Sequence, residues 1–287
     1  IYQVLILGLS DYLRKNGFKK TLLGLSGGID SALCLALAVD AIGADNVTAV
    51  YLPSEHSSDL SEQLAKEQAE ALGVEYLQLP IADIVSSFES ALAPTLGDLG
   101  HNITAQNLQA RARGVLLMAL SNERGAMLLA TGNKSEMATG YSTLYGDMSG
   151  GFAPIKDVSK TLVYTLANYR NAIARRLNQP DAIPQGVIDR PPSAELAPGQ
   201  VDADSLPPYD ILDLILELYV EQDASIHDIV DAGFEEDTVR RVAGMVLLNE
   251  YKRRQAAPGT RISPRAFGRD RRYPISSGWR DSGERPE

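Results

Sequence analysis

The chain has 287 residues, 44% of them hydrophobic, and a formal net charge of −10. That length fits one substantial α/β domain or two small ones, and no apolar run reaches the roughly 20 residues of a membrane span. The acidic balance argues against broad nucleic-acid binding, which needs many Lys and Arg on phosphates. A single cysteine, Cys34, excludes an internal disulfide framework and fits a reducing cytoplasm. The chain begins at Ile1 with no signal-peptide pattern, so it reads as a processed chain or a fragment whose partner domain lies elsewhere.

The predicted elements alternate through the first half. A helix around Tyr2 to Asn16 leads through Gly17 to a strand, Thr21 to Leu25; after a glycine loop an Ala/Leu-rich helix runs from Ala32 to Ile42. A second strand spans Val47 to Leu52. The next helix carries Leu60, Leu64, Ala65, Ala69 and Leu72 on one stripe and ends at Gly73, before a third strand from Val74 to Leu79. A long helix is predicted from Ala105 to Asn122, then a fully apolar strand from Ala126 to Thr131. Strand–helix alternation predicts a parallel sheet wound on both sides, with ligands at the carboxyl ends of its strands. Residues 132–157, rich in Gly, Ser, Tyr and charge, read as an active-site loop. A helix from Ser159 to Leu177 follows. Six prolines (180, 184, 191, 192, 198, 207) precede Pro208 and predict an irregular stretch, and residues 209–254 read as further helices.

Ser26-Gly-Gly-Ile-Asp-Ser31 stands between a predicted strand and helix, the context a phosphate loop requires. Two glycines let the backbone approach an anion, and the N–H groups opening the next helix meet it with a favourable dipole. Ser26 and Ser31 add hydroxyl donors, and Asp30 places a carboxylate where it could hold Mg²⁺ on the phosphates. The string is neither a Walker A loop nor a Gly-x-Gly-x-x-Gly fingerprint. A bare Gly-Gly turn closing a βα unit is the competing reading. Cys34, on the apolar helix that follows, reads as core.

The string resembles the pyrophosphate loop of the N-type ATP pyrophosphatases, which adenylate an oxygen of their substrate. Thr131-Gly-Asn-Lys-Ser-Glu136, Gly140-Tyr-Ser-Thr-Leu-Tyr-Gly-Asp147, Pro154-Ile-Lys-Asp-Val-Ser-Lys160, Arg190-Pro-Pro-Ser-Ala-Glu-Leu196 and Asn107-Leu-Gln-Ala-Arg-Ala-Arg113 resemble the NAD synthetase family within that group. The resemblance covers about Tyr2 to Ile275. Ser142-Thr-Leu-Tyr-Gly-Asp-Met148 and Asn249 to Pro258 look most like its glutamine-dependent branch, where an amino-terminal nitrilase-like glutaminase domain precedes this unit.

The resemblance implies an α/β fold with a doubly wound parallel sheet, adenine nucleotide alpha hydrolase-like and Rossmann-like, with extra carboxyl-terminal helices. The whole of residues 1–287 would be the synthetase domain. It implies ATP-dependent amidation of deamido-NAD⁺ to NAD⁺ with Mg²⁺, using ammonia that the full-length enzyme would draw from glutamine. Gly24, Leu25, Ser26, Gly27, Gly28, Ile29, Asp30 and Ser31 would bind ATP, with Thr131, Lys160 and Ser193, the last standing where the family usually has threonine. Asp30 and Glu136 would hold the metal and, with Lys160, carry catalysis; Asn107, Arg111, Glu136, Asp147 and Lys252 would bind deamido-NAD⁺. A homodimeric core is expected, a higher oligomer if the glutaminase domain is present, with no nucleic-acid or membrane partner and a cytoplasmic location. Arg113 reads equally as a ligand or a structural pair. Departures fall at Tyr51, where ammonia-dependent members often have arginine, at Leu144 for lysine and at Gly151 near an aspartate; they leave the loop, Glu136 and Lys160 untouched.

Alternatives remain open at this level. Another synthetase of the superfamily, such as a GMP or argininosuccinate synthetase, shares the loop, and a nucleotide-binding sensor without turnover shares the ATP site. Lys252 to Arg272 holds eight Lys or Arg and one acid, Asp270. That segment reads either as a solvated basic tail or as one folding over a phosphorylated substrate or an acidic partner.

Overall fold

The computed structural model describes residues 1–193, 195–197, 202–276 and 278–279. Helix α1 (Tyr2–Lys15) buries Tyr2, Leu5, Leu9 and Leu13, a three-and-four spacing that puts all four on one face. Strand β1 (Thr21–Gly24) feeds α2 (Ile29–Ile42), which is apolar nearly all round because it is enclosed by the sheet, α1 and later helices. Strand β2 (Val47–Tyr51), helix α3 (Asp59–Leu72) and strand β3 (Glu75–Gln78) complete two βα units. Gly73 stops α3 in the left-handed conformation (φ 68°), which a Cβ disfavours.

Two helices follow on the other face, α4 (Ala82–Leu96) and α5 (Ile103–Arg124), before β4 (Met127–Leu129). Asn102 caps α5 by accepting the Thr104 and Ala105 N–H groups at 2.8 and 3.1 Å. Helix α4 was not apparent from the sequence. None of its side chains is buried; only Ile84 and Val85 pack, partly covered, against the cluster of Val50, Leu52, Ile81 and Ala112.

The sheet order is β3-β2-β1-β4 and every pairing is parallel. Alternate residues serve two cores, as a pleated strand covered on both faces requires. Leu23, Ala49, Tyr51, Met127 and Leu129 join the core under α1, α2 and α3, whereas Leu22, Val50 and Leu128 face α4 and α5. The predicted doubly wound α/β fold is therefore present. The chain runs outward from β1 to β3 and returns on the opposite side as β4, so the order reverses between β1 and β4. A crevice opens at such a reversal, beyond the carboxyl ends of the strands.

Residues 132–157, read from the sequence as a loop, contain a short helix α6 (Lys134–Thr139). Helix α7 (Lys160–Arg176) returns to pack on α2. The proline-rich stretch holds α8 (Gln185–Asp189) and one 3₁₀ turn at Asp202–Asp204; Pro198 lies outside the described residues. Helices α9 (Tyr209–Leu216), α10 (Ile226–Asp231), α11 (Glu236–Leu248) and α12 (Glu250–Arg253) form the extra carboxyl-terminal helices, with a π-helical turn at Glu217–Glu221 after α9. Leu212, Ile215, Val239, Val242 and Val246 build their core, which also takes in Ala138 of α6.

Candidate active site at the sheet switch point

The loop between β1 and α2 is tied to itself and to its neighbours. Leu25 N–H donates to Val50 O at 2.8 Å, extending the β1–β2 ladder to the rim of the crevice. Ser31 Oγ donates to Gly28 O at 3.0 Å, lies 3.1 Å from Ser26 Oγ and accepts the Ser26 N–H at 3.2 Å. Gly27 has φ 78°, and a Cβ there would lie 2.5 Å from Ser61 O, so both its conformation and its packing on α3 require glycine. Helix α2 starts at Ile29, earlier than predicted, which puts Asp30 and Ser31 in its first turn with no side-chain cap on the N-terminus. Amide groups left open at a helix start form an anion site.

Two carboxylates and an ammonium converge beside this loop. Lys160, the first residue of α7, pairs with Asp30 Oδ2 and lies 3.4 Å from Glu136 Oε1, with its side chain only 3% exposed. Burial alone would lower Lys160, but the charges of Asp30 and Glu136 outweigh it and hold the ammonium above its ordinary range. Glu136 is pushed up to about 8, first by burial and then by the Asp30 charge, with Lys160 pulling the other way. The Tyr209 ring lies 5.2 Å from Lys160 Nζ and adds a cation–π contact.

Asn133 organises this group. Its side chain accepts the Glu136 N–H at 3.0 Å, Glu136 Oε2 accepts the Asn133 N–H at 3.3 Å, and Asn133 Nδ2 donates to Asp30 Oδ1 at 2.9 Å. The first two bonds are a capping box for α6; the third reaches a helix 103 positions earlier. The Asn-x-x-Glu spacing was a legible cap signal, whereas the bond to Asp30 was not. Two acids crowded together in a half-buried site suit a small divalent cation bound through one or two carboxylates with phosphate oxygens and water. Among the described residues no group of three or more His, Cys, Asp or Glu could hold a metal alone, so phosphate and water would supply the remaining ligands.

The cleft, about 190 Å³, is lined by Ser26, Gly28 to Ser31, Thr131, Glu136, Asp147, Lys160 and Ser193, all expected from the sequence. Asp202 and Arg190 line it too and were not assigned. Asp202 is pushed up by burial and accepts the Tyr209 hydroxyl at 2.8 Å. A second cavity of about 240 Å³ adjoins the first, with Ser26, Thr131, Asp147 and Glu195 common to both. Gly24, Leu25, Val50, Leu52 and Leu129 make it largely apolar, and Arg113 enters its wall with Nε 2.9 Å from Leu52 O. That contact gives Arg113 a structural pairing at the cavity wall.

Asn107, Arg111 and Lys252 line neither cavity; they grip the 140–147 segment. Asn107 Oδ1 accepts the Thr143 hydroxyl at 2.8 Å, and Arg111 Nε donates to Leu144 O at 3.2 Å. Lys252 Nζ donates to Gly140 O and Ser142 O at 2.7 and 2.8 Å. Asp147, at the end of the segment, accepts the Thr143 N–H at 2.9 Å.

Five of the eight basic residues of the segment pair with three acids within the fold. Arg253 and Arg254 pair with Glu250, Arg261 with Asp270, and Arg265 and Arg271 both with Asp223. It forms a strap across the molecule: Ala256 and Ala257 line the cleft, and Asp157 accepts the Ile262 and Ser263 N–H groups at 2.8 Å. Lys134 of α6 joins the same knot, reaching Asp157 at 3.0 Å, Glu221 at 2.6 Å, Ser263 Oγ at 2.7 Å and Arg265 O at 3.1 Å.

Residues 1–256 match the family model described as NAD synthase. Glutamine-dependent NAD(+) synthetases of Xylella fastidiosa and Acinetobacter baylyi are 54% and 56% identical to the chain over 280 residues, covering 98% of it and 51% of each relative. The chain thus spans about half the length of the curated relatives it matches. The solved glutamine-dependent NAD+ synthetase of Acinetobacter baumannii in complex with ADP superposes with a TM-score of 0.64 at 50% identity, over 98% of this chain and 50% of that one. The NMN synthetase of Francisella tularensis gives 0.68 at 28% identity, over 85% and 91%.

Proposed function

The chain belongs to the NAD synthase family, and from that premise we propose that it amidates deamido-NAD⁺ to NAD⁺ at the expense of ATP. The observation that carries this reading is the placement of Lys160, Asp30 and Glu136 together against an uncapped helix start at the sheet switch point.

In this reading the triphosphate lies on Ser26 to Ser31, its β- and γ-phosphates facing the α2 amides, with the adenosine in the adjoining apolar cavity. The nicotinate carboxylate attacks the α-phosphorus; the bond from that phosphorus to the bridging oxygen breaks, and pyrophosphate leaves. Lys160 stabilises the charge that collects on the departing phosphates, an electrostatic contribution that needs no proton transfer. Asp30 and Glu136 would hold Mg²⁺, which supplies charge neutralisation on the pyrophosphate when bound. Ammonia then attacks the acyl carbon, loses a proton and expels AMP. The acceptor is oriented by the 140–147 segment and Asp147, and that segment is held by Asn107, Arg111 and Lys252. Positioning and charge stabilisation carry the catalysis, without a protein nucleophile.

The relatives' names say that they depend on glutamine, and the wider setting we propose extends that. Ammonia would come from glutamine through an amino-terminal glutaminase domain, and the core would be a homodimer, a higher oligomer with that domain present. Among the described residues no helix is long and apolar enough to cross a membrane. The single cysteine, Cys34, supports a cytoplasmic location.

Pyrophosphate release with ATP, Mg²⁺ and ammonia tests the reading: release should require deamido-NAD⁺. Release indifferent to that acceptor sinks it, and ATP binding without release for any acceptor indicates a sensor. Because one structural relative is an NMN synthetase, the mononucleotide acid belongs among the acceptors assayed.

A further inference from the structure

The wall between the two cavities is built by residues 190–193 and 195–196, with Arg190 and Ser193 on the cleft, Leu196 on the second cavity and Glu195 on both. No helix or strand holds it. Glu195 has φ 48°, a left-handed backbone that a non-glycine residue keeps only where its surroundings enforce it.

The surroundings do so at α3. Glu195 pairs with Arg190, and its two oxygens accept the hydroxyls of Ser58 at 2.9 Å and Ser61 at 2.7 Å. Arg190 donates to Ser61 Oγ at 2.6 Å and to Ser58 Oγ at 3.3 Å. Ser58 is itself the N-cap of α3. Gln109 Nε2 secures the far end by donating to Leu196 O at 3.2 Å. Ser61 is buried, and its backbone oxygen is the atom against which Gly27 packs. One serine therefore touches the phosphate loop with its backbone and the wall with its side chain. Ser193 Oγ, accepting the Glu195 N–H at 3.2 Å, sits on the same wall.

We propose that Arg190 and Glu195 are positioning residues for the triphosphate. Their ion pair, clamped on Ser58 and Ser61, sets the distance between the Ser193 hydroxyl and the phosphate loop and keeps the two cavities in register. The pair acts through Ser61 and Ser193 on the phosphates. This inference rests on the reading of the cleft as an ATP site.

Calorimetric titration of MgATP and of deamido-NAD⁺ into the full chain and its Glu195→Gln and Arg190→Gln variants tests it, with thermal unfolding recorded for each. Losing a charged hydrogen bond that orders the wall should weaken ATP binding about tenfold. The unfolding midpoint and the deamido-NAD⁺ affinity should stay close to those of the native chain. The exchanged pair, Arg190→Glu with Glu195→Arg, should recover part of the ATP affinity. ATP binding unchanged in both single variants overturns the proposal, as does equal weakening of both ligands, which would mark a merely structural staple. A native chain that binds no ATP sinks the functional reading and this inference together; normal ATP binding by native chain and variants alike sinks the positioning role of Arg190 and Glu195 alone.

Discussion

The Asn133 side-chain amide donates to Asp30 Oδ1 at 2.9 Å while its oxygen accepts the Glu136 N–H at 3.0 Å. One side chain thus fixes both expected metal ligands, which come from opposite flanks of the switch point. Asn133→Ala should lose an N-cap worth about 1 kcal/mol and leave buried polar atoms unpaired at about 1–3 kcal/mol. Asn133→Asp should retain the cap yet set a third carboxylate against Asp30 and Glu136. Denaturant unfolding should show both variants less stable than the native chain, while pyrophosphate release falls in both. A fully active aspartate variant would refute the tethering role.

Lys160→Met removes the cation that Asp30 and Glu136 share and should cost about 100-fold or more in kcat at saturating ATP. Lys160→Arg should restore little, because a planar guanidinium does not fill the site of a compact ammonium. Asp30→Asn keeps the shape and the Asn133 contact but loses the charge; turnover should vanish. Native rates in the asparagine variant would show that the metal assignment is wrong.

Gly27→Ala meets two obstacles at once. The left-handed backbone costs about 1–2 kcal/mol for any L side chain, and the added Cβ would press on Ser61 O at 2.5 Å. Stability should fall by at least ~2 kcal/mol, with weaker ATP binding as the loop shifts off α3. An alanine variant as stable as the native chain would contradict the close packing.

Asp147 supplies a pH dependence. The residue is exposed at its surface, yet the cleft walls around it exclude enough water to push its carboxyl up to about 6, against the pull of the Thr143 N–H, Lys252 and Arg113. The folded chain therefore binds the proton more tightly than the unfolded chain. The stabilisation is complete below the ordinary aspartate range near 4 and is lost as pH rises through about 6. Asp147→Asn should match the native unfolding temperature at pH 4 and exceed it at pH 7.5. Solvent in the cleft reaches this residue and keeps the difference small. A constant offset across that range would remove the assignment.

The parts legible in the sequence were those whose cause is local. Strand–helix alternation, the glycine punctuation at Gly73 and the Ser26–Ser31 string each sit within a few residues of their explanation. Helix α4 escaped notice because it buries no side chain and carries Pro94 internally. Helix α6, six residues long, owes its existence to the Asn133 cap and to Arg253, whose guanidinium donates to Met137 O and Ala138 O. Arg190 and Glu195 stand inside the Arg190-to-Leu196 motif, yet their partners Ser58 and Ser61 lie more than 120 residues away. Asn107 and Arg111 do share a face of α5, as their spacing predicted, but that face grips the Thr143 hydroxyl and the Leu144 backbone oxygen.

The knot at Lys134 has a consequence for how the molecule comes into being. All four strands and the phosphate loop lie before residue 130, whereas two of the four groups around the Lys134 ammonium come from Ser263 and Arg265. The last strand ends at Leu129, so synthesis completes every strand of the sheet well before it reaches them. The helix that presents Glu136 then waits with a buried cation incompletely matched. Completion of the cleft therefore depends on the tail: a chain interrupted before Ser263 would keep the four strands and lack two of the groups that hold the helix of Glu136.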